Sequence, residues 1–216
     1  MLAGGNALAI ETAAGVWEIV QFGTAALQSP GRWKLTHLLR GQFGTESSVA
    51  NPAPAGARVV VLNSAVTPLA IAESDVGLPA NWRIGPSTAA AADQLNLQLA
   101  FTPSGRGLRP FSPARLRGVQ QTGGDILLTW LRCTRASSGD SWVLVEVPLG
   151  EAAEAYDLEI LNGVAVVRTV SGIAAPSFLY TAAMMVADFG GPITTLRFRV
   201  YQIGALGRGA AAEALV

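Results

Sequence analysis

The chain has 216 residues with 15 basic and 15 acidic side chains, 50% hydrophobic and 14% charged, which excludes a disordered polyelectrolyte. Zero formal net charge and a pI near 6.6 give no electrostatic footprint for nucleic acid or an anionic membrane surface. One cysteine, Cys133, excludes an internal disulfide, and one histidine, His37, cannot by itself supply a three-ligand zinc site.

No apolar run approaches the roughly 20 residues of a membrane span, and residues 1–10 carry neither the basic start nor the long apolar core of a secretory signal. The 24 glycines and 12 prolines punctuate short apolar runs, and long stripes of helical period are missing, so the class is mainly β. In chain order, strands are predicted at residues 7–10, 16–22, 33–39, 58–62, 82–84 and 96–101. Gly15, Pro30-Gly31, the stretch 51–56 and Pro79 supply the breaks, since glycine permits positive φ and proline removes a donor. Residues 89–92 read as a short helix or a loop. The Gly/Pro/Ser-rich stretch 102–113 reads either as a linker or, because Leu108 and Phe111 are apolar, as a rigid arm packed on a neighbour. Placing the boundary there gives two domains, 1–110 and 111–216.

The second half alternates more clearly. Tyr156, Leu158 and Ile160 share one face while Asp157 and Glu159 take the other, and Leu196, Phe198 and Val200 alternate with Arg197 and Arg199. Residues 125–132, DILLTWLR, are apolar on both faces around Trp130, as a central strand beneath a second sheet requires. With runs at 142–147, 164–170, 178–183 and 211–216 this makes seven strands, the number of an immunoglobulin-like sandwich.

Few motifs invite chemistry. LLRGQFGTE, residues 38–46, offers two glycines for a tight turn but no Lys-Ser/Thr to follow them, so a phosphate cradle fails and a glycine turn with Arg40 and Glu46 in a local ion pair is expected. His37 shares a strand face with Trp33 and Leu35 and reads as a buried neutral imidazole. No Gly-x-Ser-x-Gly elbow accompanies it. Cys133, between Arg132 and Arg135, reads as a small core residue rather than an activated thiol. The acids Glu146, Glu151, Glu154, Asp157 and Glu159 lack the spacing of a calcium loop or the cleft of a glycosidase pair. They read as a solvated sheet edge, or as partners of Arg132, Arg135 or Arg168 at a contact. Trp130 reads as core. Trp82, Trp142 and Tyr201 are candidate exposed aromatics, able to anchor a partner chain or stack on a glycan. Charge this sparse leaves apolar surface that favours burial against other subunits. No catalytic, cofactor or metal residue is assigned, and the chain is read as not an enzyme.

Three segments of the second half together resemble a fibronectin type III domain: DILLTW at 125–130, the Tyr-x-Leu-x-Ile strand from Tyr156, and LRFRVYQIGALGRG at 196–209. A second resemblance spans both halves. LLRGQFGTE (38–46), GRGLRPFSP (105–113), EVPLGEAAEAYDLEI (146–160) and VADFGGP (186–192), in that order, are similar to the C-terminal end of the large tail-tip or baseplate protein of gene transfer agents and related siphophage-like tails. That resemblance implies an all-β virion structural protein at the distal end of the tail, made in the host cytoplasm. In it, residues 1–110 form a β-rich tail domain and 111–216 a fibronectin type III-like sandwich. It also implies three copies around the tail axis, other tail or baseplate proteins as partners, and host-envelope contact. The alternative reading is a carbohydrate-binding module for cell-surface polysaccharide, carried by Trp82, Trp142 or Tyr201.

Overall fold

The structure is a computed structural model that describes residues 5–86, 88, 90, 96–135 and 147–216. The chain forms two compact units. One joins the residues up to Asn63 with those from Gly107 onward, and the other is Ser64–Arg106.

The chain opens with a four-stranded antiparallel sheet of β1 (Ala7–Ala13), β2 (Val16–Ser29), β3 (Arg32–Gln42) and β4 (Val59–Leu62), in the order β3-β2-β1-β4. The β2–β3 turn is Pro30-Gly31 with Gly31 at φ +75°, so proline fixes the first central residue and glycine takes the left-handed second, as a type II turn demands. Both strands outrun the predicted 16–22 and 33–39. The 14 residues of β2 span about 45 Å at the usual strand rise. Leu8 and Val20 are buried near the β1 end, whereas every residue from Gly23 to Ser29 is exposed. This corrects the expectation for His37, which is exposed and stands at φ +55° in β3, with Trp33 exposed as well. Alternation does assign those residues a common face, but no residue from Gly23 to Leu39 is buried, Leu35 being only half-covered.

Ser64–Arg106 holds a two-stranded antiparallel ribbon, β5 (Ala80–Ile84) with β6 (Leu97–Phe101). Its flanks are tied by the Gly77 amide donating to the Pro103 carbonyl at 2.8 Å. Among the described residues of this unit Pro103 alone is buried. Most of the 89–92 segment, read from sequence as helix or loop, lies outside the described residues.

From Gly107 the chain builds a sandwich. Its strands are β7 (Ala114–Gln120), β8 (Ile126–Leu131), β9 (Tyr156–Asn162), β10 (Ala165–Ile173), β11 (Ser177–Tyr180), β12 (Arg197–Gly204) and β13 (Gly207–Leu215), with a helix α1 (Ala182–Phe189) between β11 and β12. One sheet has the order β11-β8-β7 and the other β10-β9-β12-β13. The chain therefore switches sheets between β8 and β9, returns between β10 and β11, and switches again to β12, the three-plus-four strand arrangement of an immunoglobulin-like, fibronectin type III-like fold. Leu128 and Trp130 of the first sheet meet Tyr156, Leu158, Ile160, Phe198 and Val200 of the second. Trp130 and Tyr156 touch edge to face, with ring centroids 5.3 Å apart. The all-β class holds.

Three local features differ from or complete the sequence expectation. β7 was not predicted. The run 178–183 is strand only to Tyr180, after which the chain turns into α1. Within 102–113, the Pro110 carbonyl accepts from the Ala210 amide at 3.3 Å, and a Cβ on Gly209 would stand 2.3 Å from that oxygen, so this end of the segment is a packed arm. The predicted boundary near 110 falls where the chain re-enters the unit that already contains β1–β4. All but the last residue of the predicted strand 142–147, Trp142 included, lies outside the described residues.

Candidate functional site

The LLRGQFGTE segment forms the most closely tied corner of the N-terminal sheet. Glu18 of β2 has no solvent exposure, and Arg40 of β3 grips it with two hydrogen bonds, Nε to Oε1 and Nη2 to Oε2, each 2.5 Å. The Gly41 amide donates to Glu18 Oε1 at 3.0 Å, and Arg40 Nη2 also donates to the Ala50 carbonyl at 2.8 Å. A buried carboxylate needs this full set of partners to offset its desolvation. Gly41 stands at φ +62°, and a Cβ there would lie 2.9 Å from Glu46 Cα, so glycine is required twice over. Thr45 is buried too. Its Oγ1 accepts from the Ile19 amide at 2.9 Å and donates to the Gln42 carbonyl at 2.7 Å, before the 3-10 turn Glu46–Ser48.

The expected Arg40–Glu46 pair is therefore corrected. Arg40 is bound to Glu18, while Glu46 is exposed and makes no ion pair among the described residues. The reason is register: β2 and β3 are antiparallel, and a bulge between Ile19–Gln42 and Gln21–Leu39 sets Arg40 over Glu18. The corner also holds Phe43 in the left-handed region at φ +56° with 65% of its surface exposed, a feature the sequence did not announce.

A second polar array covers the outer face of the four-stranded sandwich sheet. Arg208 of β13 donates to Asp157 at 2.7 Å and to Glu159 at 2.6 Å, and its guanidinium lies 4.6 Å from the centroid of the Tyr201 ring. Tyr201 donates its hydroxyl to Glu159 at 3.0 Å, and burial, then that carboxylate, push its pKa upward. One ring face of Tyr201 is thus already occupied. Arg197 and Arg199 share Glu213, whose pKa is held below the usual glutamate value chiefly by the Arg199 hydrogen bond.

Around the same domain Arg132 meets Glu154, Arg135 meets Glu151, and Arg168 meets Asp188. Of the acidic group, Glu154 and Glu151 take the anticipated Arg132 and Arg135, whereas Asp157 and Glu159 pair with Arg208 and the anticipated Arg168 goes to Asp188 instead, all within one chain; Glu146 lies outside the described residues. Cys133 is half-buried rather than core, and burial, followed by the negative charge of Glu46, pushes its thiol pKa up, away from a reactive thiolate. Trp82 sits on β5 opposite Leu99, partly buried, with Nε1 enclosed and without an acceptor among the described residues. Trp82 and Tyr201 lie in different units. No group of three or more His, Cys, Asp or Glu side chains placed to hold a metal occurs among the described residues.

Residues 1–60, which include β1–β3, the Arg40–Glu18 corner and the start of β4, match the family described as "Rcc01698-like, C-terminal". No curated protein matches the chain. Among solved structures, the rat CD45 extracellular region, domains d3–d4, is similar at 12% identity, covering 72% of this chain and 71% of that one with a TM-score of 0.35. An Fn3-like protein from Clostridium thermocellum shares 17% identity over 49% of this chain and 90% of its own, with a TM-score of 0.31. The fibronectin type-III domain of human fibronectin type III domain containing protein 3 shares 13% over 50% and 84%, with a TM-score of 0.33. The sandwich assignment rests on the strand order and sheet switches above, not on these overlaps.

Proposed function

We propose that this chain is a structural component of the distal tail of a phage-like or gene-transfer-agent particle, serving in tail assembly and host-envelope contact rather than in bond chemistry. The observation that carries the reading is the coincidence of two lines on one segment. The family match covers residues 1–60, and the LLRGQFGTE motif of the tail-tip resemblance folds inside it into a fully partnered corner on Glu18. That corner spends its polar groups on holding β2 and β3 together at the root of a long exposed hairpin.

The proposal places several copies of the chain beside other tail or baseplate proteins, at the distal end of the virion. The glycan-binding alternative gains no support from Tyr201, whose ring is stacked under Arg208. The test is localisation: an epitope tag on the chain, expressed in the particle-producing host, followed by gold labelling and electron microscopy of purified particles. Label at the distal tail tip is the expected result. Particles that carry no label while the tagged protein stays in the unassembled fraction overturn the reading.

A further inference from the structure

Zero net charge over the whole chain conceals one segregated stretch. Residues 19–45 contain no aspartate or glutamate but hold Arg32, Lys34, His37 and Arg40. Arg40 is committed to Glu18. Arg32 and Lys34, in contrast, are exposed and meet no acid among the described residues. Both stand beside the β2–β3 turn, where a hollow of about 480 Å³ is lined by Gln28, Ser29, Arg32, Trp33 and Lys34. The register sets apolar side chains around the same tip. Leu27 faces Trp33 across the hairpin, and the two are 57 and 59% exposed. Lys34 and Leu38 take the opposite face, where Leu38 is 43% exposed.

We infer that the outer half of the β2–β3 hairpin docks on an anionic lipid surface, with its tip in the headgroup region. Three observations select that partner. First, two cations without counter-charges, in a stretch free of acids, are attracted by phosphate headgroups. Second, tryptophan and leucine adjoin those cations. These residue types together anchor a chain at a membrane–water boundary, the ring and aliphatic chain entering while the long basic side chains reach the phosphates. A wholly polar polyanion engages the cations and leaves Leu27 and Trp33 in water. Third, apolar side chains are exposed on both faces of the hairpin. An acidic protein surface covers one face, whereas a headgroup layer surrounds an inserted tip. Depth follows from the backbone. β3 is an edge strand and β1 pairs with β2 only as far as Gln21, so both outer margins of the hairpin carry peptide groups that need water. Hydrocarbon would leave those groups unsatisfied. A seat roughly 5–10 Å into the headgroup boundary does not, and residues 23–29 reach it because they span about 23 Å at the usual strand rise.

The inference goes beyond the tail assignment and takes no premise from it, so each can fail alone. Its test sediments the purified full chain with vesicles of phosphatidylcholine, alone or mixed with phosphatidylglycerol. Wild type is compared with Arg32→Glu/Lys34→Glu, with Trp33→Ala, and with Arg115→Glu/Arg117→Glu, an equal charge reversal at two exposed positions of β7. The expected result is that wild type prefers the anionic vesicles about tenfold or more, that each hairpin variant loses most of this binding, and that the β7 reversal keeps it. Lys34 is the only lysine of the chain, so its protection from an amine-acetylating reagent, read by peptide mass spectrometry, reports the hairpin itself. Near-ultraviolet circular dichroism of the Trp130–Tyr156 core verifies that each variant folds. Should a hairpin variant misfold, Lys34 protection in wild type decides. No binding to anionic vesicles, equal binding to neutral ones, indifference to both hairpin variants, or a fully reactive Lys34 on bound protein each overturns the inference. So does binding that dextran sulfate abolishes and Trp33→Ala leaves intact, the mark of a site for soluble polyanions.

Discussion

Arg40 illustrates how a residue's sequence neighbours mislead. An acid six positions away looks like the natural partner, but the antiparallel register delivers Glu18, 22 positions back, and buries its carboxylate completely. The two glutamates should therefore behave oppositely. Glu18→Gln leaves a partly exposed guanidinium without its counter-charge and weakens three hydrogen bonds, and it is expected to cost about 2–4 kcal/mol in urea unfolding. Glu46→Gln should lie within about 0.5 kcal/mol of wild type, as exposed substitutions do. Equal effects would mean that Arg40 is held by Glu46 after all. Gly41→Ala forces a left-handed alanine toward Glu46 Cα and is expected to cost about 1–3 kcal/mol in the same measurement. The glycines of the motif were legible as turn residues. The ion pair was not, because a bulge in a hairpin leaves no local trace in composition.

Among elements, α1 escaped prediction because two turns of helix show too little period to register, and its first residues continue the apolar run of β11. What makes it a helix is at its ends. The Thr181 hydroxyl accepts from the Met184 amide at 3.2 Å, Asp125 accepts from the Ala182 amide at 2.8 Å, and Gly190 closes the last turn at φ +80°. Thr181→Ala is expected to lose about 1 kcal/mol by thermal or urea denaturation. Asp188 then clamps the helix to β10 and β11, receiving Arg168 at 2.7 and 2.9 Å and the Tyr180 hydroxyl at 2.7 Å. The Arg168 hydrogen bond chiefly holds the Asp188 carboxyl below the usual aspartate range. A carboxyl depressed in the folded state adds stability above its unfolded pKa and loses it as pH falls through the folded value. Acid titration of wild type should thus show a loss of stability below about pH 4 that Asp188→Asn reduces, because the asparagine has already lost that contribution at neutral pH. β7 was missed for another reason: Arg115 and Arg117 alternate with apolar residues, but Arg115 stands at φ +51°, and the register shift between Ala114 and Arg117 breaks the period where it starts.

For the whole molecule, alternation disclosed the sandwich strands and their two-sheet class, since each buried face is written into its own strand. It did not disclose that the first 63 residues group with those from Gly107 onward while Ser64–Arg106 forms a second unit, because that grouping depends on contacts between distant segments. The division has a measurable consequence in hydrogen exchange. Leu128, Leu158, Ile160, Phe198 and Val200 are fully enclosed, so the amides of β8, β9 and β12 open only when the sandwich core opens and should exchange at rates near the global unfolding limit. Among the described residues β5 and β6 pair only with each other and carry no buried side chain, so their amides should be the fastest among the strands. Exchange mass spectrometry reads the difference. Protection in β5–β6 that equals β9 would show that the ribbon is already covered within a single chain.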